Sequence, residues 1–246
     1  MTTFNHIIPM MTNFTFNAYL TFVMILLGTS GCQDPSNSSI DSNPSTSRTV
    51  EKAFKILILG DSLTEGYGVM ENEAYPTLVQ HRLNLEVSPK TGMVYHVING
   101  GITGSTSSGG VSRINWFLQA KPDFLVLALG GNDGLRGIPV KETKQNLLTI
   151  IQTAQSHDIP AILTGMKMPP NYGLKYTNEF ANIFPSLAQS LQIPLIPFLL
   201  EGVGGNPEFN LPDRIHPNPA GHKIIGDLVF TYLSQELSSL SPLHHD

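Results

Sequence analysis

The chain has 246 residues, of which 13% are charged, and its formal net charge is −5 at pH 7. No run of Lys and Arg residues occurs, so the charge pattern excludes a nucleic-acid partner and favours small neutral or apolar ones. Cys32 is the single cysteine, which excludes an internal disulfide and any metal cluster built from cysteines.

The N-terminal segment, residues 1–31, is predicted to be an export signal. Its apolar run, AYLTFVMILLG at 18–28, is shorter than the ~20 residues of a membrane span but typical of a signal-peptide core. The segment and Cys32 together resemble a bacterial lipoprotein signal, which implies attachment to a membrane through lipidated Cys32, in the periplasm or at the outer membrane. An uncleaved anchor, or a plain secretory signal with an incidental cysteine, is the alternative. Translation from Met11 instead of Met1 would give a more ordinary signal length.

A tract rich in Ser, Asn and Pro, residues 32–52, is predicted to be a flexible linker because it cannot bury enough apolar area to fold. The roughly 195 residues that follow are enough for one domain with a full core and too few for two. We therefore predict one domain over 53–239 and a C-terminal tail over 240–246, in a monomeric protein.

From Lys55 onward, short apolar runs alternate with segments of helical periodicity, which is typical of β-α units in a parallel sheet. Each apolar run is nearly continuous, as expected for a strand covered on both faces. Strands are predicted over 55–60, 95–99, 124–130, 161–165 and 194–198, and helices over 76–84, 110–120, 140–156, 177–191 and from Pro219. Asn218 is the expected N-cap of the last helix. The buried stripe predicted for that helix comprises Ile224, Ile225, Leu228, Val229 and Tyr232. The pattern predicts an α/β fold with a five-stranded parallel sheet.

Small and polar residues follow the first three predicted strands. They read GDS at 60–62, NGGITGSTSSGG at 99–110 and GGNDG at 130–134. In open α/β sheets, ligands bind outside the carboxyl ends of the strands. We therefore expect the functional site at this edge of the sheet.

Ser62, at the end of the first strand, is a candidate nucleophile. A serine hydroxyl needs an imidazole to take its proton and usually a carboxylate to orient that imidazole. Asp213 and His216 lie three residues apart in LPDRIHPNPAGH, where a tight turn lets the carboxylate meet one ring nitrogen while the other faces outward. From spacing alone, a loop-capping Asp213 and a solvated His216 are the favoured alternative.

Acyl transfer also needs donors aimed at the developing oxyanion. The backbone N–H of Ser62, the backbone N–H of Gly104 and the side-chain amide of Asn132 are candidates from three different segments. Taken singly, the glycines could be turn formers and Asn132 a turn residue. His222 is expected to be exposed in the first turn of the last helix, and no histidine pairing indicates a metal site, so neither a metal nor a cofactor is predicted.

Four motifs, ILGDSLTEGYG, NGGITGSTS, LALGGNDGLRG and DRIHPNPAGH, resemble the four motif blocks of the SGNH hydrolases, also called GDSL esterases and lipases. The resemblance spans residues 55–237 in the family's order and spacing. It implies a flavodoxin-like three-layer α/β/α sandwich and no cofactor. The roles that it implies are nucleophile and oxyanion donor for Ser62, further oxyanion donors for Gly104 and Asn132, general base for His216, and orientation of that base for Asp213.

GGNDGLRG, PPNYG and PLIPFLLEGV make the chain most similar to a bacterial group of this family that includes thioesterase I, lysophospholipase and arylesterase. This resemblance implies hydrolysis of small carboxylic esters of acyl chains through an acyl-enzyme on Ser62, with thioesters as a further substrate class. It also implies that one loop borders the acyl chain, comprising Gly134, Leu135, Arg136, Gly137 and Ile138.

Three other functions are alternatives to ester hydrolysis, and they differ in the residues that they need. A carbohydrate O-deacetylase of the same fold would use the same catalytic set, and a catalytically silent binding domain would not need that set to be complete. A nucleotide-binding loop is disfavoured, because Asn99 stands where GxGxxG needs its first glycine and no GK[ST] sequence occurs.

Overall fold

The computed structural model of this protein describes residues 53–240. The predicted export signal, the linker over 32–52 with Cys32, and the tail beyond residue 240 lie outside the described residues. Those predictions therefore stand on sequence alone. Within residues 53–240, no helix has both the length and the apolar character that crossing a bilayer requires.

Five parallel strands form one sheet, in the order β2-β1-β3-β4-β5. The strands are β1 (Phe54–Gly60), β2 (Tyr95–Gly101), β3 (Phe124–Ala128), β4 (Ala161–Thr164) and β5 (Leu195–Ile196). The predicted α/β fold with a five-stranded parallel sheet is confirmed, and the strand order is flavodoxin-like. β5 is shorter than predicted because it lies between Pro194 and Pro197, neither of which has an N–H for the ladder.

Helices cover both faces of this sheet. They are α1 (Ser62–Glu65), α2 (Tyr75–Arg82), α3 (Ser88–Thr91), α4 (Ser107–Leu118), α5 (Gly131–Leu135), α6 (Val140–Gln155), α7 (Leu174–Ala181), α8 (Ile183–Leu191) and α9 (Pro219–Leu240). A π-helical turn over Leu83–Val87 joins α2 to α3, and a 3-10 turn over Pro170–Tyr172 precedes α7. α2 packs with α9, while α4 and α8 pack with α6.

The helix predicted over 177–191 is two helices, α7 and α8. Pro185 explains the break, because it has no N–H to donate and its ring would collide with the carbonyl of Ala181 in a continuous helix. In the first turn of α8 the missing N–H has no such consequence, since no intrahelical acceptor exists for it there.

The core includes the adjacent strands β1 and β3. The side chains of Ile56, Leu57, Ile58 and Leu59 are fully buried, and the five residues of β3 are at most 2% exposed. In the ladder between these strands, Gly60 is paired with Ala128. The segments that continue beyond these two residues therefore start side by side at the carboxyl edge of the sheet.

At the start of α9, the structure has the predicted N-cap but not the predicted exposure of His222. Oδ1 of Asn218 accepts a hydrogen bond from the backbone N–H of Gly221 at 3.0 Å, so the predicted N-cap is confirmed. His222, predicted to be exposed, is fully buried. It lies three residues before Ile225, and residues at that spacing share one helix face, so it belongs to the stripe that packs toward α2.

Burial determines the chemistry of His222. Its Nδ1 accepts a hydrogen bond from the backbone N–H of Tyr75 at 3.3 Å, and its ring stacks on that of Tyr75. Nε2 is buried without a hydrogen-bond partner among the described residues. Loss of solvation lowers the pKa of His222 to about 4. His222 is therefore a neutral packing residue at pH 7.

Candidate active site

A sharp turn from β1 into α1 holds Ser62 at the carboxyl edge of the sheet. Oδ1 of Asp61 caps α1 by accepting the backbone N–H of Leu63 at 3.0 Å. A Cβ on Gly60 would lie 1.9 Å from Oγ1 of Thr64, so the turn requires glycine at that position. Ser62 is the first residue of α1 and is 7% exposed.

The structure brings Ser62, His216 and Asp213 into one chain of contacts. Oγ of Ser62 lies 3.0 Å from Nε2 of His216, and Nδ1 of the same ring lies 2.7 Å from Oδ2 of Asp213. Both separations are hydrogen-bond distances. The residues have the geometry of a nucleophile, a base and a carboxylate that orients the base.

A tight turn before α9 places the imidazole. Oδ1 of Asp213 accepts hydrogen bonds from the backbone N–H groups of Ile215 and His216 at 2.9 and 3.0 Å. Arg214, which follows Asp213 directly, has a left-handed φ of 61°. The backbone N–H of Leu211 donates to the carbonyl of His216 at 2.7 Å and closes the loop. The carboxylate thus holds both the backbone and the ring of the histidine.

These hydrogen bonds also keep the Asp213 carboxyl ionised. Partial burial opposes ionisation, but the bonds from the two backbone N–H groups and from the His216 ring outweigh it and lower the pKa of Asp213 to about 2. Asp213 therefore carries its negative charge throughout the neutral pH range.

Asn132 lies on α5, directly after β3. Its Nδ2 donates to the carbonyl of Ser105 at 3.0 Å and lies 3.4 Å from Oδ2 of Asp61. The amide is thus held between the segment after β2 and the residue that precedes Ser62.

Burial also affects the carboxyl group of Asp61. It raises the pKa of Asp61 to about 6, against the opposing effects of the hydrogen bond from Leu63 and of the nearby His216.

Gly104 lies in the loop after β2 with a φ of +75°, a conformation that favours glycine. Its carbonyl accepts a hydrogen bond from the Arg136 guanidinium at 2.9 Å. The backbone N–H groups of Gly104 and Ser62 donate to no acceptor among the described residues. Gly104 is not among the residues that line the cavity at this edge, whereas Ser62, Asn132 and His216 are.

The cavity has a volume of about 550 Å³, in the range of small-molecule sites. Of the loop that the resemblance implied, only Leu135 lines it. Gly134 packs against Met168, where a Cβ would meet Sδ at 2.3 Å, and Arg136 and Gly137 are exposed. Ile138 is partly buried but does not line the cavity.

Most of the apolar wall was not predicted from the sequence. It comes from the segments after β4 and β5, namely Met166, Met168, Pro169, Pro170, Phe198 and Leu200. The rule that ligands bind beyond the carboxyl ends of strands applies to these segments as well as to the first three. They were not recognised in the sequence because they are apolar, whereas the polar residues after the other strands suggested catalytic roles.

Metal-ligating side chains do not cluster in the described part of the chain. Among residues 53–240, no group of three or more His, Cys, Asp or Glu side chains is placed to hold a metal ion. The site presents a hydroxyl, an imidazole, a carboxylate and an amide group.

The chain is similar to known proteins over most of its length. A model of the GDSL-like lipase/acylhydrolase family matches residues 58–224. The chain is 38% identical to an arylesterase of Vibrio mimicus over 184 residues, which are 74% of this chain and 90% of that protein. It is 35% identical to thioesterase 1/protease 1/lysophospholipase L1 of Escherichia coli K12 over 195 residues, which are 79% and 87% of the two chains.

Among solved structures, the chain is similar to the psychrotrophic esterase EstA of a Pseudoalteromonas species, crystallised in a form inhibited by monoethylphosphonate. The TM-score is 0.70 and the sequence identity 31%, and the match covers 75% of this chain and 99% of EstA. The similarity therefore extends over the whole of EstA.

Proposed function

The chain belongs to the GDSL-like lipase/acylhydrolase family and is an ester hydrolase, and we propose that it works through an acyl-enzyme formed on Ser62. The observation that carries this proposal is the 3.0 Å separation between Oγ of Ser62 and Nε2 of His216. A serine hydroxyl becomes a useful nucleophile when a base within hydrogen-bond reach removes its proton. Asp213, 2.7 Å from Nδ1, supports the same role by orienting the ring.

The proposed reaction has two matched halves. Oγ of Ser62 attacks the acyl carbonyl carbon while Nε2 of His216 takes the hydroxyl proton. The tetrahedral intermediate then collapses, the bond to the leaving oxygen or sulfur breaks, and the imidazolium returns the proton to the leaving group. In the second half, water attacks the acyl carbonyl carbon while the same imidazole takes its proton. The bond from that carbon to Oγ then breaks, the imidazolium returns the proton to Oγ, and the carboxylic acid leaves. Asp213 stabilises the imidazolium in both halves.

The oxyanion of each tetrahedral intermediate is proposed to bind the N–H groups of Ser62, Gly104 and Asn132. The two backbone N–H groups have no acceptor among the described residues, so they are available to a ligand. The Asn132 amide makes one short bond to Ser105 and one longer contact to Asp61. The amide hydrogen that points to Asp61 is in the weaker contact and is therefore the one available to an oxyanion. Both Asp61 and Asn132 line the cavity.

The acyl chain of the substrate is proposed to lie in the apolar cavity beside Ser62. Leu135, Met168 and Phe198 line it, and burying an acyl chain against such side chains contributes about 0.8 kcal/mol per CH₂. The relatives of this chain include both an arylesterase and a thioesterase. Carboxylic esters and thioesters of acyl chains are therefore both proposed substrates, and the loop over 134–138 is proposed to border the chain through Leu135.

Covalent labelling tests the nucleophile. A p-nitrophenyl alkylphosphonate should add one phosphonyl group to the wild-type protein, with release of p-nitrophenol, and intact-mass spectrometry measures the addition. Ser62→Ala should take up no label, whereas the matched control Ser108→Ala, at an exposed serine, should react as wild type does. Stoichiometric labelling of Ser62→Ala would show that another residue is the nucleophile.

We also propose, from the sequence alone, that the protein is exported and attached to a membrane. Export by the segment over 1–31, followed by lipidation of Cys32, is supported by the apolar run and by the cysteine that follows it. A labelled fatty acid should be incorporated into the wild-type protein expressed in a bacterial host, and Cys32→Ser should abolish the incorporation. A wild-type protein that is exported without label would instead carry a plain secretory signal.

A further inference from the structure

Asp133 is a fully buried acid next to the catalytic site that the reaction described above does not use. It follows Asn132 on α5 and is 0% exposed. Consecutive residues of a helix point about 100° apart, so the carboxylate faces away from the side of α5 that carries the Asn132 amide. Asp133 is not among the residues that line the cavity, and it therefore cannot contact the acyl chain.

The carboxylate of Asp133 accepts three hydrogen bonds. The backbone N–H of Ser107 donates to Oδ2 at 2.8 Å, while the hydroxyls of Ser107 and Thr143 donate to Oδ1 at 2.5 and 3.3 Å. No Lys or Arg within residues 53–240 forms an ion pair with it. The buried charge is instead compensated by these donors and by the N-terminus of α4, which begins at Ser107.

These bonds join the two segments that carry the oxyanion donors. Ser107 lies three residues after Gly104, and Asp133 lies one residue after Asn132. The same segments meet at two further contacts, from Nδ2 of Asn132 to the carbonyl of Ser105 and from the exposed Arg136 to the carbonyl of Gly104. Only the Asp133 contact is both charged and fully buried, so water competes with it least.

We propose that Asp133 is a positioning residue of the oxyanion hole, whose carboxylate holds the Gly104 segment against the helix that carries Asn132. This role rests on the oxyanion hole proposed above. Donors stabilise an oxyanion only at about 2.7–3.1 Å from it, so a displacement of several tenths of an ångström between the segments weakens the transition state. It has little effect on the apolar wall that binds the acyl chain, because most of that wall is built by the segments after β4 and β5.

Thr143 supplies a matched control. It lies on α6, is fully buried, and donates to the same carboxylate, but its helix carries no oxyanion donor. Thr143→Val should lower the free energy of unfolding and leave kcat within about twofold of wild type. Asp133→Asn keeps the size of the side chain but has one acceptor oxygen, which leaves a Ser107 donor unpaired.

Kinetics with p-nitrophenyl butyrate, read as kcat and KM separately, test the inference. Asp133→Asn should lower kcat roughly 10–100-fold with KM within about twofold, a smaller loss than removal of a donor itself. Ser107→Ala, which retains the backbone N–H, should lower kcat in the same direction and tests the link should Asp133→Asn fail to fold. A Ser107→Ala or Asp133→Asn variant that loses stability as Thr143→Val does, with wild-type kcat, would overturn the inference.

A double-mutant cycle separates this inference from the function on which it rests. If Asp133 acts by placing the Asn132 amide, Asn132→Ala should lower kcat by a smaller factor in the Asp133→Asn background than in wild type. Equal factors in both backgrounds would overturn the positioning role and leave the oxyanion hole intact. An Asn132→Ala variant with wild-type kcat would overturn both.

Discussion

The phenol ring of Tyr67 lies over the imidazole of His216, with ring centroids 4.5 Å apart and ring planes inclined by 40°. Tyr67 is 47% exposed, so it is a partial cover between the base and solvent. A positive charge near the face of an aromatic ring is stabilised by about 0.5–1 kcal/mol at an exposed position. The proposed mechanism places such a charge on His216 in both transition states.

Replacement of Tyr67 should therefore affect rate through the ring and not through the hydroxyl. Tyr67→Phe should retain wild-type kcat/KM, whereas Tyr67→Leu should lower it by roughly 2–5-fold, the equivalent of 0.5–1 kcal/mol. Hydrolysis of p-nitrophenyl acetate, whose acyl group is too short to fill the cavity, measures the effect without a contribution from chain binding. Equal rates for the Phe and Leu variants would exclude a role for the aromatic face.

Removal of the base, His216, should lower activity more than removal of the Asp213 carboxylate. His216→Ala removes the base and should lower kcat by roughly 10³-fold or more, as Ser62→Ala should. Asp213→Asn leaves an imidazole that is less well oriented, and its activity should be low but above that of His216→Ala. Steady-state hydrolysis of a p-nitrophenyl ester measures all three variants, and an Asp213→Asn variant with wild-type kcat would exclude the carboxylate from the mechanism.

The low pKa of Asp213 keeps the contribution of its carboxylate independent of pH in the neutral and alkaline range. Since folding lowers this pKa from its ordinary value to about 2, the contribution of the ionised carboxylate is present above pH ~4 and is lost as the pH falls through about 2. The ratio of wild-type to Asp213→Asn activity should therefore be constant between pH 8 and 9, above the range in which imidazoles ordinarily titrate. A ratio that falls toward 1 as the pH is lowered from 9 to 8 would show that the carboxylate is protonated in the enzyme at that pH.

His222 should make the fold sensitive to acid. Its pKa is about 4 in the folded protein and near 6.5 in the unfolded chain, so the unfolded state binds more protons between these values. The contribution of His222 to the free energy of unfolding is fully present above pH ~6.5 and is lost as the pH falls through 4, a decrease of about 3 kcal/mol in all. His222→Asn keeps an acceptor for the Tyr75 N–H and does not titrate, so it should lack this loss.

Urea unfolding at pH 7.5 and pH 4.5 measures the effect as a difference between the two proteins. Asp61 acts in the opposite direction, because its pKa is raised to about 6 and it adds stability as the pH falls through that value. It titrates in both proteins and therefore cancels in the comparison. Parallel pH dependence for wild type and His222→Asn would mean that His222 does not carry the acid sensitivity.

Chain-length preference should depend on Leu135 and not on Ile138. Both lie in the loop that the family resemblance implied, but only Leu135 lines the cavity. Leu135→Ala should change the ratio of kcat/KM for p-nitrophenyl octanoate to that for the acetate by roughly 3–10-fold, the effect of a few buried methylene contacts. Ile138→Ala is the matched control and should leave the ratio unchanged. A shift of similar size in both variants would place the acyl chain along the whole loop.

Much of the fold was determined by patterns that are local in the sequence. Continuous apolar runs such as KILILG and FLVLALG predict strands covered on both faces, because a strand that exposed one face would alternate in polarity. The cap at Asn218 is likewise local, since its oxygen bonds to a backbone N–H three residues away. The same patterns predicted that the residues after β1, β2 and β3 meet at one edge, which follows from parallel pairing.

Only the tertiary structure decided which of those residues come within bonding distance. Ser62 and His216 are 154 positions apart, and no local rule sets the 3.0 Å between their side chains. The burial of His222 arises from the packing of α9 on α2, and the start of α4 at Ser107 coincides with a bond to Asp133, 26 residues further along the chain. A sequence pattern reports the preferences of neighbouring residues, whereas burial and long-range hydrogen bonds depend on what other segments place opposite them.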